Sequence, residues 1–346
     1  MKSKGNIAIF VPHAGCPHRC SFCDQRKISA SQGIPCPEQV QQICQNAVDH
    51  PRRPKELEIA FFGGSFTAIP EEQQNLLLEA VQLFVQSGSV SGIRISTRPD
   101  CITPAILQRL QSYHVTAIEL GAQSMDDTVL LQNRRGHTAQ AVRTAARQIA
   151  EAGFSLGLQM MVGLYGSTME QEYATLRELL ALHPDTLRIY PLAVLSGTEL
   201  AERVQDGSFS LYSMEDVLQF CADALCLCHA NQVKVIRCGL HAEETLSSEV
   251  TAGFYHPAFR ELVESRLCLR CLQRHIRQHP AETRLMIQTA AGWSSRVAGH
   301  HGSNRSACLE SGVTLRITET AALPAGWLQI GEDGYDVFQI AGTARL

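Results

Sequence analysis

The chain has 346 residues, of which 45% are hydrophobic and 18% charged, and its formal net charge is −4. This composition can bury a sizeable core, which excludes an intrinsically disordered chain and a collagen-like fibre, and the charge excludes a chain that is polybasic along its whole length. At roughly 100–200 residues per domain, the length allows two or three domains, or one large barrel with a smaller appendage.

Six short apolar runs predict buried strands, and an amphipathic stretch of helical length follows each of them. The predicted strands are Asn6–Val11, Leu57–Phe62, Gly92–Ser96, Thr116–Leu120, Ser155–Val162 and Thr186–Tyr190. The helices start near Glu38, Glu71, Pro104, Thr138, Met169 and Met214. Such a succession predicts an α/β fold with a parallel sheet, either doubly wound or curled into a barrel. Functional residues are then expected just after the strands.

The remainder of the chain changes character. A polar stretch, His241–Thr251, predicts a loop or linker, and a long helix is predicted over Pro257–His279. A smaller α/β unit closes the chain. Its predicted elements are a strand at Arg284–Gln288, a short helix near Gly292–Ala298, a helix at Ser303–Glu310, and strands at Val313–Thr318 and Tyr335–Ile340.

Cysteine is the unusual residue, with 13 in the chain. Thirteen cysteines in 346 residues are a smaller share than the ~8–10% typical of a secreted scaffold built on disulfides. Because the number is odd, the thiols cannot all pair within one chain. The first ten residues are too short and too polar for a signal peptide, and no apolar run approaches a membrane span. We therefore expect a soluble cytoplasmic protein with no membrane partner, in which cysteines more often bind metals or act in catalysis.

Directly after the first strand, Cys16, Cys20 and Cys23 follow the spacing CxxxCxxC. Three thiolates on one loop can converge on one metal centre. A [4Fe–4S] cluster that only carries electrons needs four cysteines, so three would leave one iron open to bind and activate a substrate. Zinc would need a fourth ligand, for which His13 or His18 could serve. Three unrelated loop thiols are the remaining alternative.

This triplet, with Phe22 before its last cysteine, resembles the signature of the radical SAM superfamily. The resemblance implies a partial (β/α)6 barrel of the TIM type, with a [4Fe–4S] cluster on the three cysteines and S-adenosylmethionine (SAM) on the open iron. One electron from the cluster then cleaves the sulfonium, and the resulting 5′-deoxyadenosyl radical abstracts hydrogen from a substrate. An electron donor such as ferredoxin or flavodoxin is implied as a partner.

The later strand ends carry residues similar to that family's SAM contacts. Gly63 and Gly64 resemble its glycine pair, and glycine allows close backbone approach to a ligand, although a plain turn is the alternative. Gln123 is expected near the ribose, and Arg135 or its neighbour Arg134 at the methionine carboxylate. By position, the resemblance implies SAM contacts at Phe22, Gly63, Gly64, Ser65, Thr97, Arg98, Gln123, Arg134, Arg135 and Gln159. Gln123 and Gln159 could instead be polar plugs inside the barrel.

Roughly residues 6–240 resemble the radical domain of the Elongator catalytic subunit, a family that modifies the wobble uridine of tRNA. The similar segments are residues 95–100, 119–124, 133–138, 163–165, 190–192 and 196–198. This chain departs from that family in its three-residue first cysteine gap and in Ser96, where those relatives usually have Glu. Nothing in it resembles their acetyltransferase domain. We therefore expect a similar radical domain and do not carry the family's reaction over.

The closing unit resembles a KH domain, a module that binds RNA or single-stranded DNA. Its sequence Gly299-His300-His301-Gly302 stands where that family has a GxxG loop between two helices, whose backbone amides approach phosphates. The resemblance implies nucleic-acid contacts at Gly299, His300, His301, Gly302, Ser303, Asn304 and Arg305. The family usually has Lys or Arg between the glycines, and a histidine pair weakens the positive charge at neutral pH. A small α/β cap that closes the barrel is the alternative.

We predict a barrel over residues 1–240, a linker and connecting helix over 241–280, and the KH-like domain over 281–346. Arg260–Arg305 carries eight Arg against three Glu, a local net charge of +5. For the arginines on the connecting helix, a solvated helix face is the simpler explanation. A second cluster would need three or four cysteines from distant elements, but we expect buried structural thiols there. The cysteines concerned are Cys221, Cys226, Cys228, Cys268 and Cys271.

The leading hypothesis is an enzyme that cleaves SAM reductively and modifies a base in RNA, above all in tRNA. Tyr190, at a strand end, is the candidate hydrogen donor or base. A second hypothesis is a small-molecule radical SAM enzyme similar to the oxygen-independent coproporphyrinogen oxidases. A third is a cluster-bearing RNA-binding protein without turnover. Release of 5′-deoxyadenosine excludes the third hypothesis, and RNA affinity separates the first from the second.

Overall fold

The structure, a computed structural model, describes residues 4–11, 20–24, 33–240 and 244–340, without the side chains of residues 244–246 and 340. The chain forms two compact units. Unit 1 comprises Met1–Leu211 and Glu243–Gly253, and unit 2 comprises Tyr212–Ala242 and Phe254–Leu346. This division differs from the predicted boundary at residue 240, since the helix that starts at Met214 belongs to unit 2.

Unit 1 contains a parallel sheet in which strands β1 to β6 lie side by side in chain order. These strands are β1 Lys4–Val11, β2 Glu56–Gly63, β3 Ile93–Thr97, β4 Val115–Gln123, β5 Ser155–Val162 and β6 Thr186–Pro191. Each overlaps the apolar run that predicted it. The sheet with its helices is a curled half-barrel, so the expected partial (β/α)6 architecture is confirmed.

Helices connect the strands of unit 1, and most start where a side chain caps them. They are α1 Pro37–Asp49, α2 Glu71–Ala80, α3 Gln82–Gln86, α4 Pro104–Ser112, α5 Asp127–Gln132, α6 Ala139–Glu151, α7 Met169–Ala181 and α8 Glu199–Gln205. The hydroxyls of Thr103, Thr138 and Thr168 each accept an N–H of the first turn of the following helix. These caps satisfy donors that a helix start leaves unpaired, which is why the predicted helix starts agree with the structure.

A second, two-stranded sheet in unit 1 lies partly where the sequence predicted a linker. Strand β7, Ala193–Leu195, pairs antiparallel with β9, Val250–Gly253, which follows helix α10, Glu244–Glu249. The described part of this stretch, residues 244–251, therefore belongs to unit 1, because β9 pairs with a strand far away in the sequence, which no local pattern indicates.

The strands of the parallel sheet are apolar on the face that the helices cover. Arg94 lies between Ile93 and Ile95, and Arg188 lies between Leu187 and Ile189; all four flanking side chains are fully buried. Because successive side chains of a strand point to opposite faces, both arginines point to the inner face of the curled sheet. The barrel interior is therefore charged.

Unit 2 is an α/β unit around a four-stranded sheet in the order β11-β10-β12-β13, in which β10 and β11 are parallel and the other pairs antiparallel. Its elements are α9 Met214–Ala230, β8 Lys234–Cys238, α11 Phe259–Gln278, β10 Arg284–Ala290, α12 Ser294–Ala298, α13 Ser303–Glu310, β11 Thr314–Thr320, β12 Trp327–Ile330, β13 Asp333–Asp336 and α14 Val337–Ile340.

The end of unit 2 corrects one prediction. Residues Tyr335–Ile340 were expected to form a strand, but β13 ends at Asp336 and a helical turn follows. The reason is local, since Asp336 Oδ1 accepts the N–H of Phe338 at 2.9 Å and turns the chain. Strand β12 was not predicted. No helix in the described ranges combines the length and the apolarity that crossing a membrane requires.

The five cysteines considered for a second cluster are all buried in unit 2: Cys221, Cys226, Cys228, Cys268 and Cys271. Burial raises the pKa of Cys228 and of Cys271 to about 12, so both remain protonated thiols at neutral pH. Among the residues with known placement, no three of these cysteines can reach a single metal ion. Their role in the structure is that of small hydrophobic side chains.

Candidate active site

The cysteine loop follows β1. Its first cysteine, Cys16, lies outside the described residues, and so do His13 and His18. Cys20 and Cys23 are described and partly exposed, and the N–H of Cys23 donates to the carbonyl of Cys20 at 3.2 Å. The structure therefore places two of the three predicted cluster ligands on one tight turn.

Ser21 anchors this turn. Its N–H donates to Asn133 O at 3.3 Å and its hydroxyl to Asn133 Oδ1 at 3.0 Å, while its carbonyl accepts from Leu200 N at 3.2 Å. Asn133 is fully buried, and its amide nitrogen donates to Val129 O at 2.8 Å and to Tyr165 O at 2.9 Å. Because this one amide bonds the turn and two other segments at once, it fixes the turn against the loops that follow β4 and β5.

Arg135 connects the turn to the end of β4. Its Nη1 donates to Cys20 Sγ at 3.1 Å and its Nη2 to Gly121 O at 2.7 Å. Its guanidinium carbon lies 6.0 Å from the ring centre of Phe22. The side chain is buried, and its Nε–H has no partner among the residues that the structure describes. The contact from Nη1 to Cys20 Sγ places a guanidinium directly beside one of the predicted cluster ligands.

The neighbouring Arg134 points outward. Its side chain is 64% exposed and its Nη2 lies 3.0 Å from Glu199 Oε2, so only Arg135 of the two reaches the cysteine turn. Gln123, at the end of β4, has a positive φ of +68°. Its buried Oε1 finds no hydrogen-bond partner within the described ranges. A Cβ on Gly121 would lie 3.0 Å from Gln123 Nε2, so this strand end is tightly packed.

The glycine pair follows β2 and lies against the end of β1. Gly63 has φ +112°, and a Cβ there would lie 2.7 Å from Val11 O and 2.9 Å from the ring of Phe10. The N–H of Gly64 donates to Val11 O at 2.8 Å. Only glycine fits this close approach of two strand ends.

Three other predicted SAM contacts are buried and bonded to one another. Ser65 Oγ lies 2.9 Å from Thr97 Oγ1 and accepts the N–H of Arg98 at 3.1 Å. The guanidinium of Arg98 donates to both carboxylate oxygens of Asp100 at 3.0 Å and to the carbonyl of Arg135. These side chains hold the ends of β2 and β3 and the Arg135 segment in one arrangement.

A charged network occupies the inner face of the sheet. Glu119, 1% exposed, accepts from Arg188 Nε at 2.6 Å, from Arg188 Nη2 at 3.0 Å and from Arg94 Nη1 at 3.1 Å. Gln159 Nε2 donates to the same carboxylate at 3.1 Å, which agrees with the polar-plug alternative for this residue.

Tyr190 belongs to this network, because Arg188 Nη1 donates to its hydroxyl at 3.4 Å. The guanidinium of Arg188 also lies 4.9 Å from the ring centre of Phe62, a cation–π distance. Burial acts to lower the pKa of Arg188, but Tyr190 and Glu119 raise it, and the net shift is upward. Arg188 is therefore permanently cationic beside the tyrosine hydroxyl.

Sequence reasoning assigned no role to Asn133, Glu119, Arg94 or Arg188. The three charged residues carried a signal, because each stands alone inside an apolar run that predicts a strand. A lone charge in such a run indicates an inner-face position in a barrel. No comparable signal marks Asn133, whose partners come from distant loops.

His137 is a further buried group near the site. Burial, with Arg135 and then Arg98, lowers its pKa to about 4. Its Nε2 lies 3.2 Å from Ala122 O, and its Nδ1 has no partner within the described part of the chain. At neutral pH it is therefore a neutral imidazole whose Nε2–H donates to that carbonyl.

In unit 2, the residues 299–302 form a tight turn between α12 and α13. Gly299, His301 and Gly302 have φ values of +85°, +51° and +79°. The N–H of Gly302 donates to Gly299 O at 2.9 Å, and the rings of His300 and His301 are exposed with centres 4.0 Å apart. This is the position at which the sequence predicted a GxxG loop.

Asn304 departs from its expected role. It is 3% exposed, and its Nδ2 lies within hydrogen-bond distance of Ser265 O at 2.9 Å and of Val297 O at 3.2 Å. It does not face a nucleic acid, because the buried carbonyls around it need a donor. The side chain of Arg305 donates to Leu315 O at 2.8 Å but is exposed, as are the side chains of His300, His301 and Ser303.

Four of the eight arginines of the basic stretch, Arg260, Arg266, Arg270 and Arg296, form ion pairs with described residues of unit 2. Arg260 Nε lies 2.8 Å from Glu264 Oε1, and Arg270 Nη1 lies 2.8 Å from Asp223 Oδ1. Arg296 contacts the same Glu264. These pairs favour the simpler explanation, in which the arginines of α11 form an ordinary charged helix face.

The end of the sheet in unit 1 fits a thiolate-bound cluster and a ligand that carries both charge and hydroxyl groups. Arg135 places a cation beside the Cys20 sulfur and keeps one buried donor, Nε–H, without a partner among the described residues. Gln123 Oε1 is a buried acceptor that likewise has no hydrogen-bond partner among the described residues. A buried donor and a buried acceptor that lack protein partners at one strand end are expected where a bound ligand supplies their hydrogen bonds.

Comparisons with known proteins agree with this geometry. The family model described as Radical SAM superfamily matches residues 10–179, and the model described as Radical_SAM C-terminal domain matches residues 184–268. The chain is 30% identical over 231 residues to Elongator complex protein 3 of Bos taurus, which covers 61% of this chain and 42% of that protein. It is 24% identical over 255 residues to the tRNA uridine(34) acetyltransferase of Methanocaldococcus infernus, covering 62% and 47%.

The chain thus spans less than half the length of these relatives. Among solved structures, it is similar to the archaeal Methanocaldococcus infernus Elp3 with an N-terminal deletion, with a TM-score of 0.61 and 19% sequence identity. The match covers 81% of this chain and 64% of that one. At this identity the likeness shows the fold.

Proposed function

Since the chain belongs to the radical SAM superfamily, whose members use a [4Fe–4S] cluster and SAM, we propose that it cleaves SAM reductively in order to modify a base in RNA, with tRNA as the substrate class. When bound, the two cofactors supply the one-electron cleavage that yields a 5′-deoxyadenosyl radical. The observation that carries the proposal is the position of Arg135, which bonds Cys20 Sγ and Gly121 O beside the unpartnered Gln123 Oε1.

In this proposal Cys16, Cys20 and Cys23 hold the cluster. Arg135 donates to the Cys20 sulfur, and its remaining Nε–H donates to the methionine carboxylate of SAM. Gln123 Oε1 accepts a hydrogen bond from a ribose hydroxyl, which satisfies a buried acceptor that has no partner in the described part of the chain. The carboxylate would accept from the unsatisfied Arg135 Nε–H, and the hydroxyl would donate to the unsatisfied Gln123 Oε1.

Tyr190 is the candidate group that holds or gives a proton at its hydroxyl. Arg188 donates to this oxygen from a fixed position, because Glu119 holds the guanidinium at two points. The inner face thus supplies a tyrosine whose hydroxyl is oriented before a substrate arrives.

RNA as the substrate class is supported by the names of the relatives and by the turn in unit 2. The exposed side chains of His300, His301 and Ser303, at the turn that Gly299 and Gly302 shape, are the proposed contacts to a phosphate backbone. The acetyl transfer in the relatives' name is outside the proposal, because the chain spans less than half their length.

The chemistry is tested by anaerobic cluster reconstitution, addition of SAM and a low-potential reductant, and measurement of 5′-deoxyadenosine. We expect release by the unmodified chain and by Cys36→Ser, which changes an exposed cysteine outside the cluster loop. Cys20→Ser should release none. A reconstituted and reduced cluster that releases no 5′-deoxyadenosine from SAM would refute the proposal.

The RNA contact is tested by tRNA binding of Gly302→Asp against Gly312→Asp. Both glycines have a positive φ, +79° and +77°, and a Cβ on either meets nothing within 4 Å, so the backbone strain is matched. Only Gly302→Asp places a carboxylate on the proposed phosphate contact, and we expect at least a tenfold loss of affinity there alone. Equal tRNA affinity of the two variants would refute the proposed phosphate contact. Mass analysis of RNA nucleosides from a deletion strain identifies the modified base.

A further inference from the structure

A cluster of histidine and carboxylate side chains lies in unit 2, apart from the residues assigned above. His275 is in the last turn of α11, and His279 directly follows that helix, four residues later. Asp333 begins β13, and Glu282 is in the turn before β10. The helix period places the two histidines on one face, and the sheet brings Asp333 to them from 54 residues further along the chain.

The distances suit one metal ion. One ligand atom from each of His275, His279 and Asp333 lies within 4.8 Å of the other two. Asp333 Oδ2 is 2.8 Å from His279 Nε2 and 3.5 Å from His275 Nδ1. Zinc bonds to nitrogen and oxygen are about 2.0–2.2 Å long, which separates tetrahedral ligand atoms by about 3.3–3.5 Å. Small side-chain movements therefore bring these three atoms to ligand spacing.

Glu282 occupies the opposite edge of both imidazole rings. Its Oε2 lies 3.3 Å from His275 Nε2, and its Oε1 lies 3.8 Å from His279 Nδ1. The two rings stack with centres 4.3 Å apart and planes 27° from parallel. Histidines that bind metal usually donate the other ring N–H to a carboxylate, which orients the ring and fixes its tautomer. Asp333 on one side and Glu282 on the other reproduce this arrangement for His275, whereas the 3.8 Å between Glu282 and His279 exceeds hydrogen-bond length.

Burial and access differ between the members in the way a metal site requires. The side chain of His275 is only 2% exposed, and Tyr335 Oη lies 2.8 Å from the same Nδ1 that faces Asp333, so a bound ion replaces this hydrogen bond. The side chains of His279 and Asp333 are 38% and 45% exposed, so an ion can enter from solvent. Two imidazoles with one carboxylate are the ligand set of zinc and related divalent transition metals.

We propose that His275, His279 and Asp333 bind one divalent ion of the zinc class, and that Glu282 orients the His275 imidazole as a positioning residue. Three protein ligands leave one coordination position to water. The ion would join the end of α11 to strand β13 and so brace the four-stranded sheet of unit 2. This assignment is independent of the cluster and of the reaction in unit 1.

The test uses the full chain with its cluster reconstituted, so that the cysteine loop does not take up the added metal. Co²⁺ is titrated as a spectroscopic probe, followed by its displacement with Zn²⁺. We expect one equivalent, with visible ligand-field bands that lack the intense near-ultraviolet absorption of thiolate-bound cobalt. His279→Ala and the isosteric Asp333→Asn should lose this equivalent, and Glu282→Gln should weaken it by about 10–100-fold.

His229→Ala is the matched control, because His229 Nε2 faces a single carboxylate, Asp336 Oδ2, at 3.6 Å in the same unit. It should bind Co²⁺ as the unmodified chain does. Both tryptophans of the chain, Trp293 and Trp327, lie in unit 2, so their fluorescence reports its thermal unfolding. With Zn²⁺ at 100 times its dissociation constant, the midpoint should rise by about 5–10 °C, and this rise should vanish in Asp333→Asn.

Three results would overturn the proposal. These are uptake of no ion beyond the cluster iron, unchanged Co²⁺ affinity in both His279→Ala and Asp333→Asn, or thiolate absorption in the bound Co²⁺. The first result would show that His275 and His279 are a hydrogen-bonded histidine pair that needs no metal. If His279→Ala does not fold, Asp333→Asn decides, since it keeps the volume of the side chain that it replaces.

Discussion

Replacing Glu119 by Gln would remove one negative charge from the barrel interior while keeping the shape of the side chain. The Glu119 carboxylate accepts two hydrogen bonds from Arg188 and one from Arg94. Arg94 would keep its other partner, Glu58, at 2.8 Å. Arg188 would keep the hydroxyl of Tyr190, at 3.4 Å, and one amide oxygen of the new side chain, but it would face no carboxylate among its described partners. The substitution therefore leaves a buried guanidinium without its counter-charge.

The expected cost follows from burial. The side chains of Arg188 and Glu119 are 8% and 1% exposed, so solvent cannot replace the lost partner. Breaking such a pair on one side costs about 3–5 kcal/mol in the free energy of unfolding. Glu58→Gln is the matched control, because the Glu58 side chain is 20% exposed and Arg94 retains Glu119. For the control we expect a loss of about 1 kcal/mol or less.

The assay is urea unfolding of the full chain, followed by far-ultraviolet circular dichroism. A double variant, Glu119→Gln with Arg188→Met, removes both charges and should recover most of the loss, because an apolar replacement of a buried pair is often nearly neutral. Equal losses for Glu119→Gln and Glu58→Gln would refute the reasoning. So would a double variant whose loss equals the sum of the two single losses.

Gly63→Ala should lower the free energy of unfolding by about 3 kcal/mol, because its Cβ would lie 2.7 Å from a backbone oxygen at φ +112°. Gly88→Ala is the control and should lose about 1 kcal/mol, since Gly88 has φ +69° and a Cβ there meets no atom within 4 Å. Equal melting points would contradict this. The pKa of His137 is about 4 when folded against 6.5 in the unfolded chain, so it should make stability rise by about 3 kcal/mol between pH 4 and 6.5, and His137→Gln should remove that rise. Burial raises the pKa of Glu172 to about 7 from 4.5, so it should make stability fall between pH 4.5 and 7, and Glu172→Gln should remove that fall. Urea titrations at several pH values check both slopes, and variant slopes equal to that of the unmodified chain would contradict them.

The elements that the sequence predicted well are those that local chemistry determines. The hydroxyls of Thr103 and Thr138 each cap the helix that follows, so the helix starts could be read within a few residues. The apolar runs of the sheet likewise carry their own pattern. Tyr335–Ile340 was misassigned because its alternation suits either state, and one side chain, Asp336, decides where the strand ends.

The parts of the site that escaped prediction depend on pairs far apart in the chain. Arg188 meets Glu119 across 69 residues, and Ser21 meets Asn133 across 112. The motif residues Cys20, Arg135 and Gln123 could be singled out by resemblance, yet the bond from Arg135 to the cysteine sulfur could not. No spacing rule reports that a guanidinium reaches a thiol from another loop.

The paired charges of the barrel interior also have an evolutionary consequence. Two carboxylates, Glu58 and Glu119, balance two guanidiniums, Arg94 and Arg188, in the interior of one sheet. A lineage that lost Arg188 alone would pass through an intermediate with an uncompensated buried charge, and selection would remove most such intermediates. Among descendants of a common ancestor, Glu119 and Arg188 are therefore expected to be kept together or replaced together. Exposed residues, whose charges water can solvate, can be substituted one at a time.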